Sequence, residues 1–595
     1  MTENSMDSID NSIRNLNAYL IVILLVSLAL RVWGISYGMP YSFILDETYL
    51  VNRSLSLGTG DLNPHLFEWP GHLLMYALLA IYGLYFVLGY AAGIFSSAEN
   101  FALSFLVDPS HFYIIGRAFM VLLSMVTVYV TYRVGARAYD RMTGLIAAFF
   151  LAVSPLVSGI SHFALTDTPV MLLSILVFLP VLRIIHEGRT RDYILAGLIV
   201  GAGVAVKYNA GALVIPVLSG HLLHILRNKK PLKGIVFHRG LWLSGAALLF
   251  GFVAGCPYCL LDYPTFVRDV VFQFSRVSSV GMINAEYASP FLYYLRESLA
   301  GGIGTGITAV CILGAVRALY RRGDADIVLM IFIASYFMYV SSWKVAIDKY
   351  LMPLIPAILV IGASLLRELF GILPVSGRRK GYIIVLCVLA LAAGPLMKSL
   401  RVDHTLTQKD SRTIAKEWIE ENIKDGTRIA IDSGRLDIAK LSPPLNDTPD
   451  NLYRIFVEKG MIDENKYLRS GGNIFDKYYQ LLTRASSGRK YPLTRIVLRP
   501  DGRIDRNISV EGLKKLHVEY VVVSSFAYEG YESPAFRQNH PEVAEYYSRF
   551  YGDLEKQCIL IKEFRSDPDR RQGPTIRIYK MPGRAFEGSY AGRSQ

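Results

Sequence analysis

The sequence predicts a polytopic α-helical membrane protein with a soluble α/β domain at its C-terminal end. Three observations carry that prediction. Of the 595 residues 52% are apolar, too many for an ordinary soluble chain. Apolar runs of about 17 to 25 residues, enough to cross a hydrocarbon core about 30 Å thick, recur between residues 18 and 397. Beyond Pro395 such runs cease and charged residues become dense.

The first run is preceded by Glu3, Asp7 and Asp10 against a single Arg14. That is a poor signal-peptide n-region, so the run is expected to be a retained span. Spans are expected near 17–36, 113–132, 144–161, 168–185, 193–210, 211–226, 240–257, 298–318, 326–341, 350–368 and 382–398. A missed partner or two brings the expected total to about 11–13.

The net charge of +13 is concentrated in short loops. Arg133, Arg137 and Arg141; Arg183, Arg189 and Arg191; Arg227, Lys229, Lys230 and Lys233; Arg317, Arg321 and Arg322; and Arg378, Arg379 and Lys380 occupy every second inter-span loop. This is the positive-inside pattern, and it points away from nucleic acid. It places those loops and the N-terminus in the cytoplasm of a multi-pass cell-membrane protein. Asp46, Glu47, Arg117, His162, Asp167, Lys207, Lys344 and Lys349 then all fall on or near the outer side. Ionisable groups at a membrane are costly and mark function by default, so a common site is expected there.

Residues 71–95 are long enough to span, yet a single crossing there would turn every basic cluster outward. Residues 37–112 therefore read as one outer loop, with 71–95 lying in the interface or re-entering. Tyr76, Tyr82, Tyr85, Phe86 and Tyr90 suit an interfacial belt. The expected division is a membrane domain, 1–400, and an extracytoplasmic α/β domain, 401–595. In the latter, Asp410-Ser411 followed by Thr413, Ile414, Ala415, Trp418 and Ile419 reads as a capped amphipathic helix. Arg428-Ile429-Ala430-Ile431 reads as a strand, and Leu513–Leu516 with Tyr520–Val523 repeats the pair.

Five cysteines are few. Cys256-Pro-Tyr-Cys259 has no thioredoxin-like context, and cysteine at a span end behaves as a small apolar residue. No zinc-ligand spacing, Walker loop or post-strand GxGxxG is present, which argues against ATP as the energy source. Asn52, Asn446 and Asn507 open N-x-S/T tripeptides.

The outer segments carry the chemistry. They read Tyr41-Ser-Phe-Ile-Leu-Asp46-Glu47-Thr-Tyr49; Gly60-Asp-Leu-Asn-Pro64-His65-Leu-Phe-Glu68-Trp69-Pro70; Ser161-His162-Phe-Ala-Leu-Thr166-Asp167-Thr-Pro169; Val206-Lys207-Tyr208-Asn209-Ala-Gly211; and Asp348-Lys349-Tyr350-Leu-Met-Pro353-Leu-Ile-Pro356. In this order they resemble the protein O-mannosyltransferase family and its bacterial relatives, which include lipid A aminoarabinose transferases. The resemblance covers about residues 15–400, and the opening of the C-terminal domain resembles domains appended to prokaryotic members.

The resemblance implies a GT-C fold with a catalytic first outer loop. It implies an inverting glycosyltransferase that moves a sugar from a polyprenyl-phosphate carrier to an acceptor hydroxyl on protein, lipid or cell-envelope glycan. It implies Asp46 as the base, with Glu47 tuning it or binding the acceptor. It implies Arg117, Lys207 and Lys349 on the donor phosphate, Lys349 standing where many relatives carry arginine, and Asp167 and His162 as orienting groups. No organic cofactor is expected; Asp46, Glu47 and Asp167 offer ligands for one divalent cation, which the protein-mannosyl branch does without. Simpler readings stay open for Asp167 as an N-cap, for Lys207 and Arg31 as snorkelling side chains, and for Lys349 as an amphipathic boundary. The competing class is a polytopic transporter or flippase of a lipid-linked or sugar substrate. It would place ionisable groups at mid-membrane on broken helices, often with internal repeats.

Overall fold

The computed structural model describes residues 3–68, 71–275, 287, 289–375, 377–433, 441–458, 488–497 and 508–582. The chain divides into two compact units. The first comprises Met1–Ile35, Leu50–Gly83 and Ile114–His404; the second comprises Ser36–Tyr49, Leu84–Tyr113 and Thr405–Gln595. The acidic-pair segment therefore packs with the C-terminal part of the chain, a membership that an expected cut at 400/401 does not show.

Helices form along the apolar runs, some of them opened by a side-chain cap from Ser97, Asp140 or Ser154. The chain opens with α1 (Glu3–Val32), α2 (Leu45–Ser56), α3 (His72–Ala91), α4 (Ala98–Val107) and α5 (Ser110–Ala138). Then follow α6 (Arg141–Ala152), α7 (Pro155–Ser161), α8 (Asp167–Leu176), α9 (Phe178–Glu187) and α10 (Thr190–Val206). A 3₁₀ turn, Tyr208–Leu213, leads to α11 (Val214–Arg227), short α12 (Gly234–Phe237), α13 (Arg239–Gly255), α14 (Tyr258–Leu261) and α15 (Tyr263–Ser275). Next come α16 (Pro290–Tyr293), a π-helical stretch Tyr294–Leu299, α17 (Ala300–Ile303), α18 (Thr305–Arg321) and α19 (Asp324–Ser341). A second 3₁₀ turn, Asp348–Leu354, opens α20 (Ile355–Ile372), and α21 (Gly377–Leu406) closes the series. Among the described residues eight helices are long and apolar enough to cross a membrane, or ten if each bent pair is one span.

Two expectations, a straight span at 298–318 and a snorkelling Arg31, are corrected. The run at 71–95, expected to lie in the interface or to re-enter, holds an unbroken 20-residue helix, α3, long and apolar enough to cross. Its aromatic rings also make packing contacts. Tyr82 is buried, while Tyr85 and Phe86 meet Phe101 edge-on at 5.9 and 5.2 Å. The span expected at 298–318 is bent by 118° between Ile303 and Thr305. Arg31 does not snorkel; it is fully buried. Its guanidinium donates to the Ser124 hydroxyl at 2.7 Å and to the Ala152 carbonyl at 3.0 Å. Ala152 ends α6 where the chain bends by 60° into α7, so Arg31 satisfies a backbone acceptor that the break leaves without a helical partner.

Within the first unit, α10 and α13 pack closely because α10 offers small residues. A Cβ on Gly201 would stand 2.8 Å from the Phe252 amide nitrogen of α13, so only glycine fits this crossing. The ends of the bundle differ in chemistry. At one end α18, α19 and α20 meet in an ionic knot. Arg317 pairs with Glu368, Arg227 with Asp324 at 2.8 Å, and Tyr139 donates to Asp326 at 2.6 Å. A cavity of about 290 Å³ lies there, lined by Arg137, His186 and Arg321 among others. Lys207 and Tyr350 lie toward the opposite end: Glu368 of the knot is 13 residues beyond Ile355, where α20 begins after the Tyr350 turn, about 20 Å at 1.5 Å per residue.

The second unit holds the expected α/β fold. Asp410 caps α22 (Ser411–Asn422) by accepting from the Arg412 amide. Five strands run in the order β4-β1-β5-β7-β6: β1 (Ile429–Ser433), β4 (Leu493–Val497), β5 (Tyr520–Ser524), β6 (Ile559–Phe564) and β7 (Ile576–Lys580). β1 is parallel to both β4 and β5, with Ile429 opposite Leu493 and Tyr520, whereas β7 is antiparallel to β5. A two-stranded ladder joins β2 (Asn446–Asp447) to β3 (Lys490–Tyr491). Ala415 and Ile419 of α22 pack on Ile429, Ile431, Val522 and Ile578. This is the alternation and helical period expected for those segments.

Candidate functional site

Two groups of the predicted residues can be built from the chain upward, one in each unit. The first centres on Asp167 and Lys207. Pro169 is compatible with the first turn of α8, where the missing N–H has no helical partner to lose; Asp167 stands as the first helical residue. The helix α10 stops at Val206, and Lys207 takes an extended conformation at its C-cap. The Lys207 ammonium then donates to Asp167 Oδ1 at 2.6 Å, with the two side chains 15% and 4% exposed. Asp167 is thus neither a plain cap nor is Lys207 a snorkelling chain.

The Lys349 segment joins this pair through its neighbour. The Lys207 Nζ lies 5.1 Å from the centre of the Tyr350 ring. Pro353 and Pro356 withhold amide donors, and the chain forms a 3₁₀ turn before α20 begins. That turn is stitched in place: Tyr336 donates to the Tyr350 carbonyl at 3.0 Å and Ser174 to the Pro353 carbonyl at 2.8 Å. Asp348 accepts from Tyr293 and Ser298, both at 2.6 Å. Lys349 sits between these fixed points and is half-buried. Tyr350 has no assigned role in the sequence reading; its place beside Lys349 is the signal that marks it.

The Gly60–Pro70 segment borders the same turn. Tyr208, next to Lys207, donates to the Phe67 carbonyl at 2.8 Å, and the Gly71 amide donates to the Val206 carbonyl at 3.0 Å. Asp269 accepts from the Phe67 amide and Asp262 from the Asn63 side chain. Hydrogen bonds from Asn63 first, and from Thr265, hold the Asp262 carboxyl below its usual range. Trp69 and Pro70 of this motif, like Asn507, lie outside the described residues. Cys256 and Cys259 are buried in an apolar cluster with Phe67 and Ala205, and the Cys256 sulfur is 3.0 Å from His72 Nδ1.

Arg117 and His162 lie in the first unit as well. Arg117 is buried, donates to the Ile35 carbonyl at 2.6 Å and stacks 5.1 Å from the centre of Phe163. His162 has both ring nitrogens on backbone carbonyls, Ser158 at 2.8 Å and Trp33 at 2.9 Å, with Asp403 at 3.6 Å. Those contacts occupy the ring as a tie between α7 and the end of α1.

The second group is the acidic pair. Asp46 and Glu47 open α2, where the positive end of the helix dipole favours carboxylates. Glu47 is fully buried and accepts from the Ser42 hydroxyl at 3.2 Å; Asp46 is half-buried. Among the described residues no three His, Cys, Asp or Glu side chains gather as metal ligands.

Residues 110–254, from α5 to the end of α13, match the family model described as dolichyl-phosphate-mannose-protein mannosyltransferase. No curated protein matches the chain by sequence. The structure is similar to that of ArnT from Cupriavidus metallidurans bound to undecaprenyl phosphate, at 12% identity and TM-score 0.50, covering 94% of this chain and 98% of that one. The apo form of the same ArnT matches with 13% identity and TM-score 0.51 over the same shares. The archaeal oligosaccharyltransferase AglB from Archaeoglobus fulgidus is a further match, at 13% identity and TM-score 0.45, over 89% of this chain and 72% of that one. The chain thus has the GT-C fold of ArnT over nearly its whole length, as its resemblance to mannosyltransferase-like enzymes implied.

Proposed function

We propose that the protein is an inverting glycosyltransferase that takes a sugar from a polyprenyl-phosphate carrier and transfers it to an acceptor hydroxyl on the outer membrane face. The observation that carries this reading is the Asp167–Lys207–Tyr350 cluster at the end of the bundle opposite the basic loops, in the fold of a protein crystallised with undecaprenyl phosphate. An ammonium has three donors; Asp167 accepts from Lys207, and the other two suit a phosphate. Lys349 and Arg117 supply further positive charge for that anion.

The chemistry needs one base. The acceptor oxygen attacks the anomeric carbon while the bond from that carbon to the carrier phosphate breaks. The bonding pair leaves with the phosphate, and Asp46 takes the hydroxyl proton. A phosphate leaves as a stable anion, so cationic side chains replace a general acid. Glu47, buried against Ser42, shapes the base or holds the acceptor, and Asp167 orients Lys207. No cofactor is required by this scheme. The positive-inside loops support a cytoplasmic N-terminus and an extracytoplasmic C-terminal domain.

The test uses purified protein in proteoliposomes with radiolabelled polyprenyl-phosphate sugars and hydroxyl acceptors of protein and lipid type. Release of polyprenyl phosphate with label moving to an acceptor is expected. Label crossing the bilayer still attached to its carrier would make the protein a flippase and end this reading.

A further inference from the structure

The C-terminal domain reaches the acidic pair through contacts inside the second unit. We propose that Tyr37, Asp410 and Arg412 form a positioning element that holds the 38–43 turn and, through it, Glu47. The proposal rests on the transferase reading above, in which the acidic pair does the proton chemistry.

The element begins at the N-terminus of α22. Arg412 makes a two-pronged pair with Asp410: Nε to Oδ1 and Nη2 to Oδ2, each 2.8 Å. Their side chains are 5% and 0% exposed. A buried pair of this kind is weak evidence for stability, since well-packed apolar residues often serve as well or better. Its rigid fork does fix orientation. Tyr37 donates to Asp410 Oδ2 at 2.5 Å, and burial, with the Asp410 charge, pushes its phenol well above the usual range. Tyr37 is therefore a donor at neutral pH.

From this anchor the contacts run outward to the acidic pair. The Arg412 guanidinium lies 4.0 Å from the centre of the Phe43 ring, within cation–π reach. The same ring closes the turn from the other side. Gly38 has φ +75, and a Cβ there would stand 3.1 Å from Phe43 Cδ2. The Tyr41 and Ser42 amides both donate to the Gly38 carbonyl, at 2.8 and 2.9 Å. Ser42, left at φ +45 by that turn, directs its hydroxyl to Glu47 Oε2 and lies 3.2 Å from the Thr48 hydroxyl. Lys416, one turn further along α22, lies over Tyr41 at 5.6 Å. Phe43 and Tyr41 of the turn are thus each held by a cation of α22. The turn's own product is the contact between Ser42 and Glu47.

The full-length protein in proteoliposomes tests this with Arg412→Met, Arg412→Lys, Tyr37→Phe and Ser42→Ala. In Arg412→Met the amides of residues 36–49 should exchange at least ten-fold faster while β1 and β5 keep wild-type protection. Its kcat should fall at least ten-fold while its Kd for undecaprenyl phosphate stays within two-fold. Ser42→Ala should lower kcat with no change in exchange beyond its own turn, Tyr37→Phe should show a milder form of the Arg412→Met pattern, and Arg412→Lys should recover part of both losses. Equal loosening of β1 and β5, or no faster exchange at 36–49, overturns the proposal. So does wild-type turnover in Arg412→Met with residues 36–49 loosened, and that result leaves the transferase reading standing. A wild type that turns over no donor in the panel overturns both.

Discussion

Replacing Lys207 by methionine separates a structural ion pair from a phosphate-binding one. Asp167, with its side chain 4% exposed, loses its partner at 2.6 Å. A buried charge left uncompensated costs about 3–5 kcal/mol, so the single variant should unfold earlier at a fixed scan rate. Adding Asp167→Asn removes the stranded charge and should restore about 2–3 kcal/mol of that loss, the upper part of the coupling range for contacting residues. Binding should not recover. A unit charge about 4 Å from a phosphate is worth about 4 kcal/mol at an effective dielectric of 20, and screening and alternative cations reduce that. At least ten-fold weaker binding of undecaprenyl phosphate is therefore expected in both variants, read by titration in nanodiscs. A double variant that regains both stability and wild-type binding would refute the reasoning, because the pair would then be a structural strut alone.

Other expectations follow from the same geometry. Asp432 is buried on β1, accepts from the Ser524 amide at 2.7 Å and from Tyr551 at 2.9 Å, and burial pushes its carboxyl up to about 7. The folded state then holds more protons than the unfolded one between about pH 4 and pH 7. Stability of the C-terminal sheet should fall as pH rises through that window, by up to about 4 kcal/mol at 1.36 kcal/mol per unit. Asp432→Asn should flatten the pH dependence of amide protection in β1 and β5; an unchanged profile would contradict it. Gly201→Leu should force α10 from α13, a fault of about 1–3 kcal/mol or more, visible as loss of monodisperse protein in detergent. Arg31→Met should strand the Ala152 carbonyl at the α6–α7 bend and cost about 1–3 kcal/mol, read as a lower unfolding midpoint with undecaprenyl phosphate binding retained.

The helical class was legible because spans are announced by length and apolarity, both local properties. The α22 cap and the strand at 429–433 were legible for the same reason, through Asp410 and the alternation of Ile429 and Ile431. Bends were harder. The break at 303–305 falls inside an apolar run that hydropathy reads as continuous. Arg31 reads in sequence as a snorkelling side chain because charge at a span end looks the same whether it faces lipid headgroups or a carbonyl 121 residues away. The Asp167–Lys207 pair joins positions 40 apart, and motif order suggested their company without giving the bond. The link from Tyr37 to Asp410 spans 373 residues. No local pattern marks it, since Asp410 already has a sufficient local explanation as a helix cap.

The most direct test of the account is the turnover of Asp46→Asn beside Glu47→Gln under single-turnover conditions, with a polyprenyl-phosphate sugar that the wild type consumes. The substitution keeps the size of the side chain and removes its basicity. The account predicts that Asp46→Asn binds undecaprenyl phosphate normally and transfers sugar about 10²–10⁴-fold more slowly, the usual contribution of a general base. Transfer at the wild-type rate by folded Asp46→Asn would contradict it.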